Sequence, residues 1–287
     1  MASDAPSPPR LLVQLSDPHI KSPGALAYGR VDTAAYLQDA VNAINALNVP
    51  PVAVLITGDL TDFGRPAEYA HLRQLLQPLR CPVYLMPGNH DDRLALRQAF
   101  PSEVQALTGE TDDMAAFIQY AIDLGGLQLI SLDTTVPGAP HGELCPRRLA
   151  WLDARLAAAP NMPAVVAMHH PPFITGIAHM DEIGLREGAK ELAELVGRHP
   201  QVERVVCGHL HRSIQVRWAG TLAMTAPSTA HQVCLDLDSE GPSAFTMEPP
   251  GFLVHAWGSL GRVVSHIVQV GRFPGPFPFH AEGELID

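Results

Sequence analysis

Short apolar runs of strand length recur along the first three-quarters of the chain, and each run ends at a loop signal. They span residues 11–17, 52–59, 83–91, 127–133, 164–172 and 204–211. Between them, segments 33–47, 66–79, 146–159 and 186–198 carry apolar residues at helical spacing. Asp32 is an N-cap candidate for the first segment, and Pro66 suits the first turn of the second. This alternation predicts a largely parallel sheet covered by helices.

The pattern changes after His211, where the helical segments stop. Residues 213–226, 231–237, 252–258 and 262–270 predict strands in hairpin-like succession, which could extend a second sheet packed on the first. No internal repeat and no shift in composition marks a domain boundary. We therefore predict one domain over residues 11–270, a flexible N-terminus over 1–10 and a proline- and glycine-rich arm over 271–287.

Composition narrows the class of protein. Of the 287 residues, 46 % are apolar and 17 % are charged, and the mean hydropathy of +0.06 favours a soluble protein over a disordered one. No run approaches the roughly 18 apolar residues that a membrane span needs, and the polar N-terminus does not resemble a secretory signal. The four cysteines form no CxxC pair and favour reduced thiols, and hence a cytoplasmic location. The net charge of −11 argues against binding to nucleic-acid polymers.

Five of the predicted strands end in short polar motifs. These are Asp17-Pro18-His19, Gly58-Asp59, Gly88-Asn89-His90-Asp91, His169-His170-Pro171-Pro172 and Gly208-His209-Leu210-His211. In an open α/β sheet, ligands bind in the crevice beyond the carboxyl ends of the strands. The sequence therefore predicts that Asp, His and Asn side chains from five strands meet at one edge.

These residue types fit a pair of metal ions. Mixed imidazole and carboxylate ligands suit zinc, iron or manganese, whereas calcium and magnesium prefer oxygen alone. Asp17 and His19 stand two residues apart and can turn toward one ion, while the two oxygens of Asp59 could bridge two ions. Asn89 offers a carbonyl oxygen, and three further imidazoles come from His169, His209 and His211. Two ions about 3.5–4 Å apart would hold a phosphoryl group and present a hydroxide for in-line attack.

His90 has a different expected role, because its neighbour Asn89 already serves as a ligand. A histidine beside the metals can protonate the leaving oxygen or stabilise charge on the phosphoryl group. We expect Asp62 or another nearby carboxylate to orient its ring.

The motifs D-x-H, GD, GNHD, HHPP and GHxH, in this order, resemble those of the calcineurin-like metallophosphoesterases. The resemblance extends from about Leu11 to Val233. Within this family, the sequence most resembles the branch of class III cyclic-nucleotide phosphodiesterases and glycerophosphodiesterases. Segments 64–69 and 169–181 favour the glycerophosphodiesterase type slightly over the cyclic-nucleotide type. The resemblance implies an α/β fold, a four-layer α/β/β/α sandwich of two mixed sheets flanked by helices.

The resemblance also implies roles for single residues. It assigns the first metal to Asp17, His19, Asp59 and His211, and the second metal to Asp59, Asn89, His169 and His209. It further implies that Asn89, His90 and His231 contact the substrate, with His90 as the catalytic residue. The cofactors would be two divalent or transition-metal ions, of manganese, iron or zinc.

Several neighbouring residues have less specific interpretations. The resemblance favours His169 over His170 as the ligand, which leaves His170 to support the site from behind. His179 lies in a loop that could overhang the substrate, and Asp181 is more simply explained as a loop charge. Cys207, inside an apolar run, is expected to be a small buried residue and not a nucleophile.

Taken together, the residues predict a dinuclear-metal phosphodiester hydrolase acting on small substrates, either glycerophosphodiesters or 3′,5′-cyclic nucleotides. A phosphomonoesterase with the same metals is the first alternative, although only Arg65, Arg93 and Arg212 stand near the motifs to clamp a dianion. A scaffold that kept the fold without the chemistry is the second. The aromatic arm, 271–279, could pack on a second subunit to form a homo-oligomer or lie on its own core.

Overall fold

The computed structural model describes residues 8–105, 114–281 and 284–285, so most of the predicted N-terminal segment 1–10 lies outside the described residues. The first nine strands are β1 (Arg10–Leu15), β2 (Ala53–Thr57), β3 (Val83–Met86), β4 (Tyr120–Asp123), β5 (Gln128–Leu132), β6 (Gly142–Glu143), β7 (Ala164–Met168), β8 (Leu185–Glu187) and β9 (Val202–Cys207). The later strands are β10 (Ile214–Trp218), β11 (Thr221–Thr225), β12 (Gln232–Val233), β13 (Phe245–Thr246), β14 (Gly251–Trp257), β15 (Val264–Gln269), β16 (His280–Ala281) and β17 (Glu284–Leu285).

The helices alternate with the early strands, as the apolar pattern predicts. The α-helices in the described ranges are α1 (Thr33–Asn45), α2 (Pro66–Leu76), α3 (Arg93–Ala99), α4 (Pro146–Ala158), α5 (Ala178–Asp181) and α6 (Ala189–Gly197). A short π-helix, Pro101–Gln105, follows α3. Asp32 caps α1 by accepting a hydrogen bond from the Ala35 backbone N–H at 3.1 Å. None of the helices in this part of the chain has the length and apolar character needed to cross a membrane.

Two mixed sheets carry the fold. The first has the order β15-β14-β1-β2-β3, and the second has the order β10-β11-β9-β7-β5-β4. Strands β1, β2 and β3 run parallel in the first sheet, as do β5, β7, β9 and β11 in the second. Antiparallel strands complete both sheets at their edges.

The sheets pack face to face because successive strand residues point to opposite sides. In β1, Leu12 belongs to the core between the sheets, together with Val165 of β7. Its neighbour Val13 belongs to the core under the helices, together with Leu37 of α1 and Leu72 of α2. Helices α4 and α6 cover the outer face of the second sheet. The result is the four-layer α/β/β/α sandwich that was expected.

The strands after His211 correct one expectation. They do not extend one second sheet, because the hairpin β10–β11 joins the second sheet while β14 and β15 join the first. Segment 213–226 is divided by a turn at Ala219 and Gly220, both with positive φ. Segment 231–237 contributes only the two residues of β12.

The predicted helix 186–198 also begins later than expected. Leu185–Glu187 forms the short strand β8, which pairs with β6, and Gly188 at φ 81° then turns the chain into α6. The described residues of the arm, 271–281 and 284–285, are exposed, with Phe277 at 74 % and Phe279 at 78 %.

The carboxyl ends of the two sheets meet at one edge. The Gly58 carbonyl accepts a hydrogen bond from the Asp17 N–H at 3.2 Å, and the His169 carbonyl accepts one from the Gly208 N–H at 3.1 Å. Across the sheets, Gln14 Nε2 donates to the Cys207 carbonyl at 2.9 Å. These bonds fix the loops after β1, β2, β7 and β9 next to one another.

Candidate metal centre

The loops at this edge bring together the side chains that the sequence predicts as ligands. We call these seven residues the ligand set: Asp17, His19, Asp59, Asn89, His169, His209 and His211. Five of them, all but Asp17 and His169, line a cavity of about 460 Å³. All seven except Asn89 are buried.

One half of the ligand set comes from the loops after β1, β2 and β9. Ligand atoms of Asp17, His19, Asp59 and His211 lie within 4.8 Å of one another. His19 Nε2 is 3.1 Å from His211 Nε2, and His211 Nε2 is 3.6 Å from Asp17 Oδ1. Four atoms at these separations surround a volume that one cation can occupy.

The other half comes from the loops after β2, β3, β7 and β9. Asn89 Oδ1 lies 3.0 Å from His169 Nε2 and 3.1 Å from His209 Nδ1. The two imidazole nitrogens are 3.3 Å apart. The amide oxygen and two imidazoles thus converge on a second point beside the first.

Asp59 is shared between the two halves. Its Oδ2 lies 3.6 Å from His19 Nε2, whereas its Oδ1 lies 3.4 Å from His169 Nε2. The His90 backbone N–H donates to Oδ1 at 2.9 Å, which fixes the rotation of the carboxylate. One carboxylate therefore presents a different oxygen to each ligand group.

The imidazoles are oriented from behind by oxygen atoms. The Nδ1 atom of His169 lies 2.8 Å from the Thr57 carbonyl, and that of His211 lies 3.0 Å from the His231 carbonyl. His19 Nδ1 is 3.4 Å from Asp62 Oδ1. A proton on Nδ1 leaves the Nε2 lone pair aimed into the site, as in metal-binding histidines. His209 differs, because it turns Nδ1 inward.

The backbone at the ligand set is unusual. Five of its members have positive φ: Asp17 at 50°, His19 at 44°, Asp59 at 47°, His209 at 70° and His211 at 49°. The left-handed region costs a non-glycine residue roughly 1–2 kcal/mol. Such strain concentrates at functional sites, where the surrounding structure holds it in place. Asp and His adopt this region more often than most non-glycine residues, but they do so rarely, so the sequence alone did not indicate it.

Glycines make room for the ligands. A Cβ on Gly88 would overlap the Asp59 carboxylate, and one on Gly58 would overlap the His169 ring. Gly58 also has a φ of 90°. The glycines of the GD and GNHD motifs are therefore required by close approach to ligand atoms and not only by turn formation.

The charges in the ligand set suit cations. Burial lowers the pKa of His211 to about 3, so its ring is neutral and offers a lone pair. Burial opposes the charge on Asp59, but His169 and His90 outweigh it and hold the pKa of that carboxyl well below its usual range. Within the described residues, no lysine or arginine side chain lines the cavity to neutralise the carboxylates. Burial opposes the charge on His169, but Asp59 outweighs it and raises the pKa of His169 to about 9, so this carboxylate favours a positive charge at the site. Imidazoles, carboxylates and an amide oxygen fit two transition-metal ions.

His90 lies on the cavity wall above the ligand set. Its Nδ1 contacts the backbone carbonyl of Asp62 at 2.8 Å, which leaves Nε2 for the cavity. The expected carboxylate orienter is thus replaced by a carbonyl. The Asp62 carboxylate instead contacts Lys21 Nζ at 2.7 Å and faces His19. His231 also lines the cavity, and its Nδ1 has no hydrogen-bond partner among the described residues.

Four further residues that the sequence analysis discussed lie around the centre: His170, His179, Asp181 and Cys207. The two ring nitrogens of His170 contact Thr134 Oγ1 at 2.8 Å and the Pro140 carbonyl at 3.2 Å, so both have partners outside the ligand set. One of these nitrogens still lies within 4.8 Å of ligand atoms of His169 and His209. His179 lines the cavity. The carboxylate of Asp181 accepts hydrogen bonds within its own loop, including 2.8 Å from the Thr175 N–H. Cys207 is fully buried, and burial raises the pKa of its thiol.

The outer part of the cavity contains residues that the sequence did not single out. Tyr28, in the loop before α1, and Phe245, in β13, stack with ring centroids 4.8 Å apart. Val233 and Met180 also line the cavity. These residues belong to none of the polar motifs, and only the Tyr28-Gly29 turn signal marks their positions.

Comparisons with known proteins agree with this geometry. Residues 11–213 match the family described as calcineurin-like phosphoesterase. The chain is 38 % identical over 278 residues to the protein named Probable glycerophosphodiester phosphodiesterase GpdQ of Arcobacter nitrofigilis, covering 96 % of this chain and 100 % of that protein.

Two further comparisons show similarity at lower sequence identity. The chain is 30 % identical to 3′,5′-cyclic adenosine monophosphate phosphodiesterase CpdA of Escherichia coli K12, over 90 % of each protein. Its fold resembles a dimetal phosphatase from Danio rerio with a TM-score of 0.64 at 16 % identity, covering 92 % of this chain and 100 % of that one.

Proposed function

The chain belongs to the calcineurin-like phosphoesterase family, in the branch of glycerophosphodiester and class III cyclic-nucleotide phosphodiesterases, and from this premise we propose that it hydrolyses small phosphodiesters at a two-metal centre. One observation carries the proposal: Asp59 presents Oδ2 to one ligand group and Oδ1 to the other. A carboxylate in this position can hold two ions side by side, which is the arrangement used for in-line displacement at phosphorus.

In this proposal, Asp17, His19, Asp59 and His211 hold the first ion, and Asp59, Asn89, His169 and His209 hold the second. When bound, the ions supply Lewis acidity that activates water and neutralises charge on the phosphoryl oxygens. The protein's part is to fix the ligands rigidly. The hydrogen bonds behind His169 and His211 perform this task.

His90 is the proposed proton donor. Its Nδ1 is held by the Asp62 carbonyl, which directs Nε2 toward the substrate. As the bond from phosphorus to the leaving oxygen breaks, the proton passes from Nε2 to that oxygen, so the alcohol departs uncharged. Asn89 and His231 border the same space and are the proposed contacts to the phosphate and the rest of the substrate.

The surroundings of the centre favour a diester over a monoester. A diester phosphate carries one negative charge, whereas a monoester carries up to two and is usually clamped by arginine. Here Arg93 is paired with Asp133 at 2.7 Å, and Arg212 with Glu248 at 2.8 Å. Arg65 lies over the Phe63 ring, 4.7 Å from its centroid. None of the three lines the cavity.

The proposal also covers the identity of the metals, the bounds of the domain, the cellular location and self-association. Manganese, iron and zinc all suit this donor set, and the metal content of the protein purified without added metals would choose among them. The catalytic domain is residues 11–270. The four free cysteines support a cytoplasmic location. Self-association through the exposed aromatic arm stays a prediction, which the gel-filtration mass with and without residues 271–287 would test.

The deciding experiment compares two reporter substrates. We expect manganese-reconstituted protein to hydrolyse bis(p-nitrophenyl) phosphate with a higher kcat/KM than p-nitrophenyl phosphate, and a chelator to abolish both activities. A preference for the monoester would move the function to a phosphatase. Absence of turnover with two ions bound would instead indicate a scaffold without the chemistry.

A further inference from the structure

Two aromatic rings form the outer wall of the cavity. The rings of Tyr28 and Phe245 stack at an interplanar angle of 29°, and the ring of His231 meets each of them edge-on at 5.2 Å. Tyr28 is 56 % exposed and lines the cavity, so part of its ring is accessible to a bound molecule. We call Tyr28 and Phe245 the aromatic pair.

The backbone under the aromatic pair is strained. Tyr28 has a φ of 50° and Gly29 a φ of 66°, in a turn closed by the Arg30 N–H donating to the Ala27 carbonyl at 3.0 Å. Turns with two positive φ values strongly prefer Asn-Gly, because asparagine tolerates this conformation and a bulky ring does not. A strained aromatic residue at the mouth of a cavity points to a use for its ring.

Apolar side chains make up much of the rest of the cavity lining. Phe245 pairs through β13 with β12, which begins directly after His231, and this pairing brings the ring to the cavity. Val233, Met180 and Ile183 line the same cavity, together with the polar side chains of Ser243 and His179. The apolar side chains offer few partners to the hydroxyl groups of glycerol, whereas a flat ring gains contact with an exposed aromatic ring.

We propose that the aromatic pair is a stacking subsite for a planar group on the alcohol of the phosphodiester, which makes a nucleotide and not a glycerol derivative the substrate class. This inference rests on the proposed function, because the phosphate must bind at the ligand set for the planar group to reach the wall. The two rings then select the substrate, and the ligand set performs the hydrolysis.

The test compares two diesters in three variants. We would measure kcat/KM for 3′,5′-cyclic AMP and for glycerophosphoethanolamine in Tyr28→Asn, Phe245→Leu and the control Phe277→Leu, which removes an exposed ring of the arm. Each variant is compared with the wild type on the same substrate, so the intrinsic reactivities of the two diesters cancel. The melting temperature of each metal-loaded variant is recorded as a check on folding.

We expect Tyr28→Asn and Phe245→Leu each to lower kcat/KM for cyclic AMP about ten-fold, mainly through KM, since stacking a base on an aromatic ring is typically worth this much. Hydrolysis of glycerophosphoethanolamine should change less than about two-fold. Tyr28→Asn should not lower the melting temperature, because asparagine relaxes the turn. The Phe277→Leu control should match the wild type on both substrates.

Three results would overturn the inference. Equal losses on both diesters would show that the rings only support the fold. No loss on either, with the wild type active, would remove the stacking subsite and leave the phosphodiesterase proposal intact. A wild type that strongly prefers glycerophosphoethanolamine would reject the nucleotide class. By contrast, a wild type inactive on every diester would overturn the proposed function and this inference together.

Discussion

The aromatic pair lines the same cavity as five members of the ligand set, but the two groups are built in different ways. The ligand set comes from strand ends, and six of its seven side chains are buried among glycines and hydrogen bonds that leave no room for rearrangement. The aromatic pair comes from a turn and a two-residue strand, and Tyr28 is largely exposed. Changes at the ligand set must therefore alter metal binding or stability, whereas changes at the aromatic pair can alter selectivity alone. This fold separates the reaction from the choice of substrate.

The largest effect is expected from substitution of Asp59, which the two halves of the ligand set share. We expect Asp59→Ala to lower kcat by roughly 10³-fold or more and to reduce bound metal below two ions per chain, because both ligand groups lose an oxygen. Metal content by mass spectrometry and kcat on bis(p-nitrophenyl) phosphate measure the two effects. Retention of two ions by the variant would contradict the bridging role.

His90 tests whether a cavity residue can act without holding metal. We expect His90→Ala to lower kcat by roughly 10² to 10⁴ while metal content stays normal, since only the proton donor is lost. His71→Ala is a matched control, because His71 Nδ1 also contacts a backbone carbonyl, that of Lys21 at 2.7 Å, but its ring lies outside the cavity. Loss of metal from His90→Ala would show that the assigned role is wrong.

Asp62, which lies behind His19, tests whether residues outside the ligand set affect metal affinity. Burial opposes its charge, but the contact with His19 and the hydrogen bond from Lys21 hold the pKa of Asp62 at about 2. We expect Asp62→Asn to weaken metal affinity about 10- to 100-fold, because His19 loses its charged partner. At saturating metal, kcat should recover to within a few-fold.

Asp153→Asn serves as the control for Asp62→Asn. The Asp153 carboxylate also contacts a histidine, His199 Nε2 at 2.7 Å, but on the protein surface. Metal titrations of this variant should match the wild type. Equal weakening in both variants would mean that the effect is one of general charge and not of orientation behind His19.

His255 lies outside the ligand set and the aromatic pair, and it tests how stability depends on pH. Burial, assisted by Arg204, lowers the pKa of His255 to about 3, below the ordinary value of about 6.5 for an unfolded chain. The unfolded state therefore takes up a proton first as the pH falls, so the stabilisation is complete above pH 6.5 and is lost toward pH 3. Between pH 6.5 and 4.5, this residue should cost about 2–3 kcal/mol.

Urea unfolding of chelated wild type and His255→Gln across this range measures that cost. Because both proteins are metal-free, contributions from the ligand set cancel. The free energy of unfolding of His255→Gln should fall less steeply with decreasing pH. Parallel curves for the two proteins would contradict the buried, neutral state of His255.

Much of the fold follows from the sequence because its buried parallel strands produce unbroken apolar runs. The ligand set follows for a related reason: each motif stands where such a run ends, and parallel strands end at one edge. The C-terminal strands were less predictable. The distribution of β10–β11 and β14–β15 between different sheets depends on long-range pairing, such as that of Leu12 with His255, which local periodicity does not encode.

The aromatic pair lay beyond the sequence for another reason. Tyr28 and Phe245 are far apart in the chain, and neither repeats a motif or a period. Only the folded chain places them in contact. The carbonyl that orients His90 escaped prediction similarly, because a backbone oxygen carries no sequence signature.

The left-handed backbone at the ligand set has a consequence for protein engineering. At these positions the residues that relax the chain, glycine and asparagine, are poorer ligands than the aspartate and histidine that strain it. A library selected only for thermal resistance in the absence of metal should therefore accumulate glycine and asparagine at Asp17, His19, Asp59, His209 and His211. Those variants would be more stable but inactive. The five positions therefore show a trade-off between stability and activity.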